Sequence, residues 1–177
     1  MSAQGHSTRF GRAGATARDP GPPLTAERLA DVHNVVDALY RFGAGQDCDD
    51  RTLFESAFAP DAVVDFSGPA GRFGVTLPPF EGRDRITDTI MGTVASLDTT
   101  HTVTNPRVAL AGERAELFAL VEAQHLPKDD HGRHLLLKNF YSVSLRRDRE
   151  LWVIARMVID NVWFTGDPSV LFPAAGG

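Results

Sequence analysis

The apolar residues of this chain change their spacing once, near residue 98, and that change limits the folds open to it. Before it, Leu29, Val32, Val36, Leu39 and Phe42 recur at steps of three and four, which makes one apolar helix face over Thr25 to Ala44. Thr25 is placed to cap that helix, and Gly43 and Gly45 are expected to stop it. A shorter helix follows, capped by Asp49 or Asp50, burying Leu53, Phe54, Ala57 and Phe58, and ended by Pro60. Ala62 to Phe66 reads as a short strand. Ser67 to Pro79 reads as a loop long enough to be an entrance or lid, and Gly82 to Leu97 as a third helix with Ile86, Ile90, Met91 and Val94 inward. After residue 98 the spacing is that of strands. Thr99–Leu110, Arg114–Leu126, Leu135–Arg147 and Leu151–Phe164 are separated by the turn signals Ala111-Gly112, Lys128–Gly132 and Asp148–Glu150. Three helices followed by neighbouring long strands predict an α+β fold, with the helices on one face of a curved, mostly antiparallel sheet. Such a sheet leaves a hollow against the helices, where a ligand would sit.

Composition narrows the function. The chain has 177 residues, 42% of them hydrophobic, enough for one domain with a real core over residues 24–172. Residues 1–23 are rich in Gly, Arg, Ser, Thr and Pro and read as a disordered tail, and residues 173–177 as a flexible end. A net charge of −5, spread along the chain, argues against nucleic acid. No apolar run is long enough to span a membrane, no signal-peptide stretch opens the chain, and a cytoplasmic location is the expectation. Cys48 is the single cysteine and has no nucleophile signature around it. No histidine pair has zinc-site spacing supported by acids or cysteines, and no glycine-rich nucleotide fingerprint is present, so neither metal nor cofactor is expected.

Several short stretches occur in a recognisable order. They are Tyr40-Arg41-Phe42-Gly43-Ala44-Gly45-Gln46-Asp47, Phe58-Ala59-Pro60-Asp61-Ala62-Val63-Val64-Asp65-Phe66, Phe80-Glu81-Gly82-Arg83-Asp84, Thr100-His101-Thr102-Val103-Thr104-Asn105 and Trp163-Phe164-Thr165-Gly166-Asp167. Over about residues 26–168 this order resembles the SnoaL-like, nuclear-transport-factor-2-like superfamily, and most closely its scytalone dehydratase-like members. The resemblance implies a cone-shaped α+β barrel with one internal pocket. It also implies pairing of copies through the open sheet, as a homodimer or homotrimer. The fold hosts enzymes, scaffold subunits and pure binders, so function must be argued from the site.

The resemblance singles out Asp47 and His101. In dehydratase-like and dehydrochlorinase-like members an acid at the end of the first helix meets a histidine at the start of the long strands. A neutral imidazole is a base near neutral pH, and a carboxylate on its other nitrogen fixes the tautomer and stabilises the imidazolium. The bland alternatives are a backbone-bonded strand histidine and a turn-forming aspartate beside Asp49 and Asp50. His125 shares a strand face with Ala115, Leu117, Ala119, Val121 and Ala123, and matches a second active-site histidine, where it would act as general acid or substrate-oxygen donor. Asn105, four residues after His101, would orient that histidine or bond substrate; the alternative is a turn former before Pro106. Arg156 lies in an apolar run and would need a buried anion or acid such as Asp160. Ser142 and Ser144 fall near small polar pocket positions, and Tyr40, Phe42, Phe54, Phe66, Phe73, Phe80, Phe140 and Trp163 are candidates for apolar lining or plain core. Two departures stand out. Gln46 and Phe66 occupy positions where scytalone dehydratase has water-holding tyrosines, and Phe42 stands where the bile-acid type has one.

These readings imply a cofactor-independent lyase or isomerase, of dehydratase or cyclase type, acting on a hydrophobic and polycyclic secondary metabolite by His-Asp-assisted proton abstraction. One alternative is a non-catalytic binding or scaffold subunit, like the small subunit of ring-hydroxylating dioxygenases. The other is a limonene-type epoxide hydrolase, built from Asp47, Asp65 and Arg156.

Overall fold

A computed structural model describes residues 21–23 and 25–172; the expected tail over 1–23, apart from 21–23, and the end at 173–177 lie outside the described residues. The elements run α1 (Ala26–Asp47), α2 (Arg51–Ser56), β1 (Phe58–Asp65), α3 (Ser67–Arg72), β2 (Phe80–Glu81), α4 (Arg83–Val94), β3 (Leu97–Ala111), β4 (Arg114–Pro127), β5 (Leu135–Asp148) and β6 (Leu151–Gly166), closed by a 3-10 turn at Pro168–Val170. One six-stranded sheet has the order β2-β1-β6-β5-β4-β3. All neighbours are antiparallel except β1 and β6, which run parallel. The α+β class expected from the change of period is the class observed.

Thr25 caps α1, its hydroxyl accepting from the Arg28 amide at 3.3 Å. The helix does not stop at Gly43 and Gly45 but runs on to Asp47. Those glycines serve packing. A Cβ at Gly43 would lie 2.9 Å from the His101 Cβ, and one at Gly45 would lie 2.6 Å from the Phe54 backbone. The buried face of α1 is Val35, Val36, Ala38, Leu39 and Phe42, whereas Leu29, in the first turn, is 55% exposed. Asp50 caps α2 through the Leu53 amide at 2.9 Å. The chain turns into β1 at Phe58, so Pro60 sits in that strand where its pairing with β6 is irregular. The stretch expected to be all loop after Ser67 contains the short helix α3.

Phe42, Phe54 and Phe58 form the centre of the core, with ring centroids 5.2 to 5.9 Å apart. Truncating such a buried ring costs about 3–5 kcal/mol. Trp152, Ile154, Met157 and Ile159 of β6 close this core from the sheet side. A second, smaller apolar cluster of Ala123, Leu135 and Leu137 packs with Phe73, Phe164, Val170 and Leu171 at the open end. The functional hollow lies between the two clusters.

Candidate active site

The last residue of α1 and the third inward position of β3 meet at the wall of that hollow. His101 donates from Nδ1 to Asp47 Oδ1 at 2.7 Å. The same carboxylate receives the His101 amide on Oδ2 at 2.7 Å and the Thr99 hydroxyl on Oδ1 at 2.8 Å. The contact depends on α1 continuing past its glycines and on Gly43 leaving room for the His101 side chain. Half-burial of Asp47 opposes its charge, but the hydrogen bonds from His101 and Thr99 outweigh that and hold its carboxyl below the usual range. The His101 side chain is only 4% exposed. Its ring stands edge-on to Phe42 at 5.9 Å, and to His125 at 5.9 Å. With Nδ1 committed to Asp47, Nε2 is the nitrogen left for an occupant.

His101 borders a cavity of about 310 Å³, within the size range of small-molecule sites. Phe42, Phe66, Phe80, Ile90, Val94, Leu137, Leu171 and Phe172 give it an apolar wall, and Gln46, Thr89, Thr93, His125, Asn139 and Tyr141 supply its polar groups. Val75 and Leu77, from the loop after α3, also reach it, as an entrance segment would. Phe73 packs against Phe164 at 4.7 Å and Phe172 at 5.1 Å, tying that loop to the end of the chain. The Gln46 amide is anchored by donating to the Phe42 carbonyl at 3.1 Å.

The SnoaL-like domain family matches residues 27–158. The chain belongs to that family. Terrestric acid biosynthesis cluster protein E from Penicillium crustosum is 32% identical over 159 residues, covering 84% of this chain and 94% of the relative. A scytalone dehydratase-like protein from Novosphingobium aromaticivorans superposes with a TM-score of 0.70 at 15% identity, over 81% of this chain and 92% of that one. A hexachlorocyclohexane dehydrochlorinase from Novosphingobium barchaimii gives 0.65 at 17% identity, over 80% and 93%. These two structural likenesses are likenesses of fold.

Within this SnoaL-like cavity, His125 stands beside His101 as its strand face requires. Burial, and then the repulsion of a charged His101, push the His125 imidazole down to about 4. Its Nδ1 lies 3.3 Å from the Leu135 carbonyl, to which it donates. A ring held neutral in this way meets an occupant of the cavity as a hydrogen-bonding group.

Seven of the expected pocket residues lie elsewhere. Tyr40 is 43% exposed on the outer side of α1, one residue past the buried Leu39. Asn105 is exposed at a β-bulge between Thr104 and Arg107, with φ at +52°; the extra residue there carries its side chain off the His101 face. Ser142 and Ser144 occupy the outer face of β5, where Ser144 bonds Glu116 at 3.0 Å and Phe140 stacks on Phe118 at 5.1 Å. Arg156 is exposed, alternating with the buried Met157 of β6, and Trp163 is 44% exposed. An epoxide-hydrolase arrangement of Asp47, Asp65 and Arg156 is therefore not assembled in the cavity, and Asp65 instead accepts from the Ser67 amide at 2.9 Å. Of the aromatic candidates, Phe42, Phe66 and Phe80 line the cavity.

Sequence reasoning missed Thr99, Asn139 and Tyr141. In β5 the inward set is Leu135, Leu137, Asn139, Tyr141, Val143 and Leu145. A one-residue slip in register exchanges that set for the serines. The buried Ala115–His125 face of β4 opposite was the signal available: antiparallel pairing of His125 with Leu135 and of Val121 with Asn139 places the odd-numbered residues of β5 on the same face.

Proposed function

We propose that this protein is a cofactor-independent lyase or isomerase that removes a proton from an apolar, ring-containing carbonyl compound of secondary metabolism. The observation that carries this reading is the Asp47–His101 pair, closed at 2.7 Å, with His101 set in the wall of an apolar cavity. His101 Nε2 takes a proton from a carbon beside the carbonyl. Asp47 holds Nδ1 protonated and stabilises the imidazolium that forms, while the apolar walls keep that attraction from being screened by water. In an elimination the C–H and a neighbouring C–O bond break, a C=C bond forms, and the imidazolium proton leaves with the departing hydroxyl as water. In an isomerisation the proton returns to a different carbon. The size and lining of the cavity suit a two- or three-ring substrate. A relative named for a biosynthesis cluster, and a fold shared with dehydratase-like and dehydrochlorinase proteins, support secondary metabolism and elimination chemistry. The open cavity favours this reading over a scaffold role, which would leave the hollow filled.

The test follows the proton. The protein is incubated in D2O with 1-tetralone, 2-tetralone and their β-hydroxy derivatives, and deuterium at the α-carbon and loss of water are read by NMR. Enzyme-dependent exchange that falls by about 10²–10⁴-fold in His101→Gln is the expected outcome. Exchange that survives in His101→Gln, or no exchange with any of these ketones, would overturn it.

A further inference from the structure

Three polar groups that line the cavity have already given their protons to the protein. His101 donates from Nδ1 to Asp47 at 2.7 Å. Thr93, an exposed residue of the lining, donates its hydroxyl to the Thr89 carbonyl at 2.7 Å. His125, on β4 and 4% exposed, has Nδ1 3.3 Å from the Leu135 carbonyl. A main-chain carbonyl only accepts, so Nδ1 is the nitrogen that carries the His125 proton. The ring is buried and lies 5.9 Å from the His101 ring, and both conditions disfavour a second proton. Nε2 of His125 is therefore a bare lone pair. It bonds nothing in the protein among the described residues, yet it is not sealed off, so it opens on the cavity that His125 lines. A buried acceptor is costly until it is matched, and this one is matched by an occupant that brings a hydrogen. Asn139 and Tyr141, the other polar groups of this wall, lie four and six residues beyond Leu135 on β5, away from the His125 end.

We propose that His125 Nε2 accepts a hydrogen bond from a ligand hydroxyl, and that this residue selects hydroxyl-bearing ring compounds for the cavity. The proposal rests on the cavity being the site of the reaction given above, and it narrows the substrate. An acceptor draws the O–H proton away from its oxygen and gives no help to a departing hydroxide, which needs a proton to leave. The hydroxyl held by His125 is therefore one that the reaction keeps, distinct from a hydroxyl lost as water. The substrate class becomes a ring ketone that bears a retained alcohol or phenol group. The two imidazoles stand 5.9 Å apart, so this hydroxyl lies about one ring away from the carbon that gives its proton to His101. Ala123, Leu135 and Leu137 surround that end with apolar surface, where a hydrogen bond is stronger than in water.

The experiment uses 2-naphthol and naphthalene, one ring system with and without the hydroxyl. The ¹⁵N shifts of the histidine rings are read in labelled wild-type protein at pH 7, which needs no variant. His125 is expected to carry its proton on Nδ1 with Nε2 bare. Saturation with 2-naphthol should move the Nε2 resonance toward its protonated position and leave Nδ1 in place, and naphthalene should move neither. Calorimetry should find 2-naphthol bound about tenfold more tightly than naphthalene in wild type, the worth of one net hydrogen bond, and His125→Phe should remove that preference while naphthalene still binds. A proton on Nε2 in the free protein, an Nε2 that 2-naphthol leaves in place, or a preference that His101→Gln removes and His125→Phe keeps overturns the proposal. The ketone exchange in D2O separates the two readings. Exchange that fails while 2-naphthol still moves His125 Nε2 removes the base, and exchange that persists while Nε2 stays in place removes the acceptor.

Discussion

Replacing Asp47 by Asn tests the dyad with almost no change of shape. The carboxylate receives three donors: the His101 amide on Oδ2, and Thr99 and His101 Nδ1 on Oδ1. An asparagine has one accepting oxygen and one donating nitrogen. The backbone amide of His101 cannot accept, so the oxygen must face it and the new Nδ2 must face Nδ1 and Thr99. Thr99 can turn its hydroxyl. His101 can comply only by moving its proton from Nδ1 to Nε2, which removes the lone pair that faces the cavity. The reaction should slow by about 10³–10⁴-fold, the scale of a wrong-tautomer histidine in a catalytic triad. Stability should fall by about 1.5–3 kcal/mol, the usual worth of hydrogen bonds to a charged group. The tautomer can be read without any substrate, from the ¹⁵N shifts of the His101 ring in labelled protein. An Asp47→Asn variant whose His101 keeps its proton on Nδ1, or whose turnover stays within tenfold of wild type, would refute the reasoning.

Other consequences are open to simple measurements. His125 is held at about 4 in the folded protein against an ordinary value of 6.5. The unfolded chain therefore binds the extra proton first, and stability falls as pH drops from 6.5 toward 4, by about 3 kcal/mol in all. Urea titrations of His125→Gln over that range should lose this part of the slope; an unchanged slope would place the burial cost elsewhere. Gly45→Ala puts a methyl group 2.6 Å from the Phe54 backbone and should cost at least about 1–3 kcal/mol by thermal denaturation. Gly43→Ala meets His101 at 2.9 Å, so its larger effect should be on turnover. Asn105→Ala forces an alanine to φ +52° and should cost about 1 kcal/mol or more with turnover unchanged, whereas Asn105→Gly should be near neutral in stability. Loss of turnover in both would return Asn105 to the site.

Particular stretches show why some features were legible and others were not. The face Ala115 to His125 was readable because β4 alternates without interruption over six inward residues. Asp47 and His101 stood out only through the resemblance, since an acid beside Asp49 and Asp50 looks like any helix-end aspartate. In β5 the run Leu135-Leu136-Leu137 is apolar on both faces, so alternation could not set the register and Ser142 was exchanged for Tyr141. Asn105 and Trp163 were misplaced because bulges shift the pairing of β3 with β4 and of β5 with β6, and a bulge leaves no periodic trace.

What the sequence determined by itself is what local physics can decide. Apolar period separates helices from strands, Thr25 and the Asp49-Asp50 pair mark helix starts, and turn residues separate the long strands. Tertiary structure alone decided that α1 passes through Gly43 and Gly45, because those glycines answer to His101 in β3 and Phe54 in α2. It also decided which face of β5 is inward, and so brought Asn139 and Tyr141 to the cavity in place of the serines. Each of these depends on a neighbour brought close by folding, and a one-residue choice there, not visible in the strand itself, moves a side chain from solvent to the cavity.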